Sequence, residues 1–317
     1  MPIDKKKISV LIIGAGNIAQ KHIESLNSIK DFHIYGLYSR TFDRSHKLAI
    51  KFNIKNIFKN YEEIYEQKNY FDLILILVSP DQTLDVFLKI MKLKKVIFFE
   101  KPVGFNFSEN KKILSLVKKF KLKTFVGFNR RYYSIFEKGL KKITSNNKKI
   151  SSLIIEGHER LWLLNKIKKY NSSHMKNWYY LNSIHHVDLI RFFGGEIDLN
   201  YFYKISNKFS FSILLKSKKN FPIVYYSNNN FLDSWSVKVY NNHGEYLEFK
   251  PLEKGYFITH NSRKAIMPNI NDEKYKSGFH KMHLNLKNFI KNNKLSFPDQ
   301  SVSDAIISTN LVNKIFY

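Results

Sequence analysis

Residues 8–26 have the sequence ISVLIIGAGNIAQKHIESL, in which a short apolar run ends in glycines and passes into a helical pattern. An apolar run of this length that ends at glycine is typical of a buried parallel strand. The junction matches Gly-x-Gly-x-x-Ala, the turn that holds a pyrophosphate at a helix N-terminus. Gly14 permits the tight turn and Gly16 allows close approach to the backbone. The stretch therefore predicts a dinucleotide site that includes Gly14, Gly16, Asn17 and Ile18.

The same alternation of apolar strands and amphipathic helices continues to about residue 128. Further strands are predicted at residues 32–38, 54–58, 71–78, 95–99 and 123–128. Strands that alternate with helices at this spacing form βαβ units, and right-handed crossovers make the sheet doubly wound. A lone glycine motif also arises by chance, but this context favours binding. Residues 1–127 are therefore predicted to form an α/β dinucleotide-binding Rossmann domain with a parallel sheet.

The pattern changes in residues 128–317, which we predict to form a second, α+β domain. After a helical stretch at residues 178–193, strand patterns follow one another directly, separated by Asn, Gly and Lys turns. These strands are expected at residues 201–203, 209–216, 222–226, 235–240 and 245–249. Consecutive strands of this kind form an antiparallel sheet. Helices at residues 278–291 and 302–316 close the chain.

Composition excludes several classes of protein. The chain has no cysteine, so disulfides, iron–sulfur clusters and a thiol nucleophile are ruled out. Its net charge is +27, but seven of its 53 basic residues are arginine, so we expect no specific nucleic-acid partner. The apolar runs are too short to span a membrane, and residues 1–7 lack a signal-peptide core. We therefore expect a cytoplasmic protein with no membrane partner.

The end of the second predicted strand indicates which dinucleotide binds. Enzymes that use NAD usually place an acid there to hold the ribose 2′-hydroxyl. This chain instead has Ser39, Arg40 and Thr41, whose guanidinium and hydroxyl groups suit a 2′-phosphate. NADP is therefore preferred over NAD as the cofactor. In the alternative interpretation Arg40 stacks on the adenine ring and either nucleotide binds.

Three further segments give the chain a family resemblance. The sequence EKP (residues 100–102) follows the fifth strand, GFNRRY (127–132) follows the sixth, and IHHVDL (184–189) lies on a helix. Together with the glycine motif they resemble the glucose-fructose oxidoreductase, inositol dehydrogenase and MocA (Gfo/Idh/MocA) family. The resemblance implies a second domain built on a large, open, mostly antiparallel sheet. It also implies hydride transfer between nicotinamide and a hydroxyl or keto carbon of a sugar, cyclitol or sugar nucleotide, in a homodimer or homotetramer.

The resemblance also implies the roles of individual residues. Lys101 is expected to contact the substrate hydroxyl and the nicotinamide ribose, and the Lys101–Pro102 bond to be cis. His185 is expected to act as general acid and base. Residues implied near the cofactor are Ser79, Pro80, Glu100 and Lys101. Residues implied near the substrate are Lys101, Asn129, Arg130, Asn182, His185 and His186, and no metal is expected.

One position departs from the family pattern. The family motif Asp-x-x-x-His-x-x-Asp falls on Leu181, His185 and Asp188, so an apolar residue replaces the first acid. Asn182 is adjacent and lies four residues before His186, which leaves a pairing of these two side chains open. Asp188 either orients the His185 ring or has a structural role. The missing acid also leaves open a catalytically silent nucleotide-binding sensor of the same fold.

Overall fold

A computed structural model describes residues 7–167, 170–229 and 233–317 of the chain. The strands are β1 (Ile8–Ile13), β2 (Phe32–Tyr38), β3 (Asn56–Phe58), β4 (Leu73–Ile76), β5 (Val96–Glu100), β6 (Thr124–Gly127), β7 (Ile150–Glu156), β8 (Ile197–Ser206), β9 (Ser210–Ser217), β10 (Pro222–Asn228), β11 (Ser236–Asn241), β12 (Tyr246–Phe249), β13 (Gly255–Thr259) and β14 (Ser262–Ile266). The helices are α1 (Asn17–Asn27), α2 (Phe42–Phe52), α3 (Tyr61–Glu66), α4 (Thr83–Ile90), α5 (Phe107–Lys119), α6 (Ser134–Ile143), α7 (Leu161–Ile167), α8 (Ser172–Lys176), α9 (Ile184–Gly194), α10 (Ile270–Lys274), α11 (Phe279–Asn292) and α12 (Val302–Phe316).

The chain divides into two units. The first consists of Met1–Asn129 and Asn271–Thr309, and the second of Arg130–Ile270 and Asn310–Tyr317. The sequence analysis had assigned the whole chain after residue 127 to the second domain, whereas the structure places 271–309 with the first unit. The physical reason is helix α11, which packs against α1 and contributes His283 and the Phe279 ring to the interior of that unit. No local sequence pattern shows which core a terminal helix joins.

The first unit contains a parallel sheet in the order β3-β2-β1-β4-β5-β6. Its central strands are apolar along their length because helices cover both faces, and every residue of β4 is buried. The strand order reverses direction between β1 and β4, where doubly wound sheets bind their ligands at the carboxyl ends of the strands. The predicted Rossmann fold is confirmed.

The second unit contains a sheet in the order β14-β13-β12-β11-β7-β10-β9-β8. Its neighbouring strands are antiparallel except for β7 and β10, which pair in parallel. Helices α6 and α9 pack on the sheet, and the Phe136 ring lies 4.6 Å from that of Phe249. The predicted open, mostly antiparallel sheet is confirmed. The sequence analysis missed the β13–β14 hairpin, which is short and carries Lys and Arg in its second strand.

Near one edge, the sheet of the second unit exposes large apolar side chains. In β8, Tyr203 is 61% exposed and Ile205 is 80% exposed, and Leu214 of the neighbouring β9 is also exposed. Such a contiguous apolar patch is unusual on a monomer surface. In the described part of the chain, no helix combines the length and apolar character needed to cross a membrane.

Candidate functional site

The turn between β1 and α1 is shaped by two glycines with different requirements. Gly14 has a φ of +119°, and its N–H donates to the Tyr38 carbonyl over 2.8 Å. A Cβ at Gly14 would lie 2.3 Å from the Leu77 carbonyl oxygen, so only glycine fits there. A Cβ at Gly16 would meet nothing within 4 Å, and Gly16 has an extended backbone. Nothing in the protein's own packing therefore requires a glycine at this position.

The open side of Gly16 faces a cavity of about 290 Å³ at the carboxyl ends of β1, β2 and β4. Its lining comprises Ile13, Gly14, Ala15, Gly16, Tyr38, Ser39, Arg40, Thr41, Arg44, Tyr61, Leu77, Val78, Ser79, Gln82, Asp85, Val86 and Lys89. A nicotinamide dinucleotide fits this arrangement, since it needs bare backbone at the helix N-terminus for its pyrophosphate. The structure thus brings together Gly14, Gly16, Ser39, Arg40, Thr41 and Ser79 of the predicted cofactor residues.

The remaining predicted cofactor residues lie outside this cavity. Asn17 lines a neighbouring groove with Arg44 and two lysines of α2. Ile18 and Pro80 line neither space, although each directly follows a residue that does. Glu100 and Lys101 lie at the end of β5, farther along the same sheet.

The cavity carries an excess of positive charge at the end of β2. Arg40 donates from Nη1 to Gln82 Oε1 over 3.3 Å, and Arg44 lies in the first turn of α2. The cavity's carboxylate, Asp85, is paired with Lys89 at 2.9 Å, so it does not offset the arginines. The sequence analysis missed Arg44. The sequence did contain a signal for Arg44. Arginine is scarce in this chain, yet two of its seven arginines lie within the five residues 40–44.

Glu100 and Lys101 are held at the carboxyl end of β5. Glu100 Oε2 accepts from the backbone N–H of Lys101 over 3.0 Å, and Glu100 Oε1 lies 2.8 Å from His22 Nε2. The Lys101–Pro102 bond is cis, as the family resemblance implied. Asn129, at the end of the first unit's main segment, donates its side-chain amide to the Ser277 carbonyl over 3.0 Å.

In the second unit, polar side chains converge on a buried carboxylate, Glu159. It accepts from Trp178 Nε1 over 2.6 Å, from Asn182 Nδ2 over 3.0 Å and from the Ser183 hydroxyl. His186 Nε2 lies 3.2 Å from Glu159 Oε1. We call Glu159 with these four partners the Glu159 cluster. Asn182 and His186, whose direct pairing the sequence left open, are instead linked through this carboxylate.

Protonation in the Glu159 cluster follows from burial and hydrogen bonding. Burial alone would raise the pKa of Glu159, but the bonds from His186, Ser183 and Trp178 outweigh it and lower that pKa. Burial lowers the pKa of His186, and the nearby charge of Arg130 acts in the same direction. The hydrogen bonds therefore favour the ionised form of Glu159, and burial favours the neutral form of His186.

The two adjacent histidines occupy different environments. The sequence analysis predicted one helix over residues 178–193, but the structure has a π-helical turn at Tyr179–Ser183 before α9 begins. His186 is fully buried, with Nδ1 3.0 Å from the Tyr225 hydroxyl and its ring 4.6 Å from that of Trp235. His185 is half-buried. Since both ring nitrogens of His186 have protein partners, a direct bond from His186 to substrate would require one partner to leave.

Asp188 has a structural partner. It accepts two hydrogen bonds from the Arg131 guanidinium, at 2.6 and 2.8 Å, and both side chains are buried. This bidentate geometry is the strong form of the arginine–carboxylate pair. Of the two roles left open for Asp188, the structure thus supports the structural one.

The Glu159 cluster lies beside a second cavity of about 370 Å³, with Arg130, Glu159, Trp178, Asn182 and Trp235 in its lining. The Arg130 guanidinium stacks 4.5 Å above the Trp235 ring, and Trp235 Nε1 donates to the His158 carbonyl over 2.7 Å. Two predicted substrate residues, Arg130 and Asn182, therefore share this cavity. The sequence analysis missed Glu159 and Trp235, which belong to separate segments without a common motif. Among described residues, no group of His, Asp or Glu could hold a metal ion.

Comparison with known proteins agrees with this geometry. Residues 8–128 match the oxidoreductase family with an NAD-binding Rossmann fold, named GFO_IDH_MocA. Myo-inositol 2-dehydrogenase of Thermotoga maritima is 30% identical over 135 residues, 43% of this chain and 40% of that protein. Glucose-6-phosphate 3-dehydrogenase of Bacillus subtilis is 29% identical over 154 residues, 48% of this chain and 42% of that protein.

The matches to these curated relatives therefore span about two fifths of their length. A solved dehydrogenase structure from Chromobacterium violaceum has a TM-score of 0.80 at 15% identity, over 98% of this chain and 94% of that chain. This likeness extends across both units and shows that they share the fold of that protein.

Proposed function

Through residues 8–128 the chain belongs to the Gfo/Idh/MocA oxidoreductase family, and from this premise we propose that it is a nicotinamide-dependent carbohydrate dehydrogenase or reductase. The substrate would be a sugar, a cyclitol or a sugar nucleotide, oxidised or reduced at a hydroxyl or keto carbon. The observation that carries the proposal is the bare backbone at Gly16, which opens on a cavity at the switch point of the parallel sheet. The two named relatives act on a cyclitol and a sugar phosphate.

The cofactor in this proposal is NADP in preference to NAD. Ser39, Arg40 and Thr41 replace the acid that would hold a 2′-hydroxyl, and Arg44 adds a second guanidinium to the same cavity. Two guanidinium groups with a hydroxyl on either side of Arg40 suit a dianionic 2′-phosphate, and the cavity's carboxylate is already paired with Lys89. Gly14 and Gly16 would hold the pyrophosphate, with Asn17 and Ile18 in the first helical turn.

Bound nicotinamide would supply the hydride donor or acceptor. In this proposal Lys101 binds the reacting oxygen and stabilises the alkoxide charge as the hydroxyl is oxidised. His185 takes the hydroxyl proton, because His185 is only partly buried whereas His186 is fully buried. Arg130 and Asn182 bind substrate in the second unit, and Asn129 positions the segment that precedes Arg130.

The exposed apolar strip on β8 and β9 supports a homo-oligomer, a dimer or tetramer that buries Tyr203, Ile205 and Leu214 against another copy. The mass from sedimentation would test this directly. A monomer at micromolar concentration would contradict it.

Cofactor binding and turnover test the function itself. We expect purified protein to bind NADPH or NADH and to turn over a member of a panel of hexoses, cyclitols and sugar phosphates. Lys101→Ala and His185→Ala should reduce turnover at least 100-fold, roughly what general acid–base groups contribute, while cofactor affinity changes less than threefold. Lys112→Ala and His243→Ala, at exposed positions of the same units, serve as controls.

Two outcomes would contradict the proposal. Failure of the protein to bind either nucleotide would remove its basis. Cofactor binding without turnover across the whole panel would support the sensor interpretation, for which Leu181 in place of the family acid is the motivating observation.

A further inference from the structure

Four polar side chains form a continuous hydrogen-bonded line through the interior of the first unit. Glu100 Oε1 lies 2.8 Å from His22 Nε2, and His22 Nδ1 lies 2.9 Å from His283 Nε2. His283 Nδ1 lies 2.8 Å from the Ser25 hydroxyl. The two imidazoles and Ser25 are fully buried, whereas the Glu100 side chain is 14% exposed. We call these four residues the Glu100 relay.

The surroundings of the Glu100 relay are apolar. The His22 ring packs 4.5 Å from the Phe279 ring and 5.2 Å from that of Phe98. Burial lowers the pKa of His283. A neutral imidazole has one N–H, so each ring in such a line donates one bond and accepts the other.

The carboxylate fixes the direction of every bond in the line. Ionised Glu100 only accepts, so His22 must carry its proton on Nε2 and leave Nδ1 as an acceptor. His283 must then donate from Nε2, and its Nδ1 accepts the Ser25 hydroxyl proton. The opposite direction is possible only if Glu100 is protonated. With Glu100 ionised and both imidazoles neutral, the heavy-atom positions admit one proton arrangement.

The relay ends where the proposed chemistry takes place. Glu100 Oε2 accepts from the Lys101 backbone N–H, so both carboxylate oxygens are held by the protein. Glu100 closes β5 at the carboxyl edge of the sheet, the edge at which dinucleotides bind in this fold. His22, Ser25 and His283 take no part in the proposed hydride transfer.

We propose that His22, His283 and Ser25 are positioning residues that hold the Glu100 carboxylate in one orientation, so that it accepts a hydrogen bond from the nicotinamide half of the cofactor. This inference rests on the proposed function. The relay links α1, which begins at the pyrophosphate turn, to β5 and to α11 from the C-terminal segment. It thereby gives the C-terminal segment a role in the cofactor site.

The first experiment is ¹⁵N NMR of the full-length protein with labelled histidine. At pH 8 the neutral rings of His22 and His283 should both carry their proton on Nε2, and their signals are assigned with His22→Gln and His283→Gln. An Nδ1–H tautomer at either position would overturn the proton arrangement. This measurement tests the hydrogen-bonded line itself, and the role of the line toward the cofactor is tested by ligand binding.

The second experiment compares two ligands, the tighter-binding of NADPH and NADH, and ADP-ribose, which lacks nicotinamide. His22→Phe should weaken the dinucleotide about tenfold, the usual effect of losing one charge-assisted hydrogen bond, and ADP-ribose less than twofold. His22→Gln keeps an amide that can donate to Glu100, so it should restore most of the dinucleotide affinity. Phe279→Leu, the control, loosens packing against His22 without removing a relay bond and should leave both affinities unchanged.

The outcomes separate the two proposals. If the unaltered protein binds no nicotinamide nucleotide, the proposed function fails, and with it the role of the relay. If it binds one and His22→Phe weakens both ligands equally or neither, the positioning role is wrong while the function stands. If His22→Phe does not fold, His283→Gln in the same comparison of the two ligands tests the positioning role, and an equal effect on both ligands, or none, would overturn it.

Discussion

The glycine turn of the first unit and the Glu159 cluster of the second create binding surfaces by opposite means. The turn offers bare backbone, and its chemistry depends on the absence of side chains at Gly14 and Gly16. The Glu159 cluster is built from side chains donated by several segments to one buried carboxylate. A backbone site leaves a short contiguous motif in the sequence, whereas a cluster of this kind is distributed along the chain and has none.

The two regions also differ in the kind of substitution that destabilises them. A glycine turn tolerates no added atom where its backbone touches a neighbouring strand. A buried carboxylate tolerates small changes in shape but not the loss of an acceptor, because its donors then remain unsatisfied. Substitutions can therefore show whether the stability of a region depends on steric fit, as at the glycine turn, or on hydrogen bonding, as in the Glu159 cluster.

The largest effect is expected for Gly14→Ala. The new Cβ would lie 2.3 Å from the Leu77 carbonyl oxygen, at a φ that L residues rarely adopt. Backbone strain and overpacking together should lower the free energy of unfolding by about 3–5 kcal/mol. Urea denaturation followed by circular dichroism would measure it, and a loss below 1 kcal/mol would show that the turn adapts.

The next effect is expected for Glu159→Gln, which puts an amide N–H among four donors. Unsatisfied donors cost roughly 1–3 kcal/mol each, so a loss of about 2–4 kcal/mol in unfolding free energy is expected. Because the folded pKa of Glu159 is lowered, its stabilisation is present above the unfolded-state pKa and disappears as pH falls through the folded value. The variant should therefore lose stability less steeply than the unaltered protein below about pH 4.3, the usual glutamate pKa.

Glu137→Gln is the matched control for that comparison. Glu137 pairs with Lys141 over 2.8 Å on the exposed face of α6, in the same unit. A surface pair of this kind contributes about 0.3–0.5 kcal/mol. Equal losses of unfolding free energy for Glu137→Gln and Glu159→Gln in urea denaturation would show that the Glu159 cluster stabilises the fold no more than a surface ion pair does.

The features that could be predicted from the sequence are those that depend on local patterns of residues. The order of β1 to β6 and the position of the glycine turn follow from hydrophobic periodicity and a contiguous motif. The membership of 271–309 in the first unit did not follow, because it depends on which core the apolar face of α11 covers. Nor did the enclosure of His186 follow, because its partners Glu159 and Tyr225 come from distant segments of the chain.

Gly16→Val tests the same turn without the steric conflict. Its Cβ would meet no protein atom within 4 Å, so unfolding free energy should change by less than about 0.5 kcal/mol. Cofactor affinity should fall at least tenfold, because the side chain occupies the approach to the backbone N–H groups. Titration calorimetry with the cofactor measures this loss. Unchanged affinity would show that the pyrophosphate does not lie at this turn.

The smallest and most selective effect is expected for Arg44→Gln. Arg44 is proposed to pair with the 2′-phosphate, a contact that NADH does not make, so the variant should bind NADPH about tenfold more weakly and NADH within twofold of the unaltered protein. Lys51→Gln removes an equal charge from the neighbouring groove, outside the cavity that contains Arg40 and Arg44, and should change both affinities little. An equal loss for NADPH and NADH in Arg44→Gln would assign this guanidinium to the shared pyrophosphate instead. The 2′-phosphate preference would then depend on Arg40 and its neighbouring hydroxyls alone.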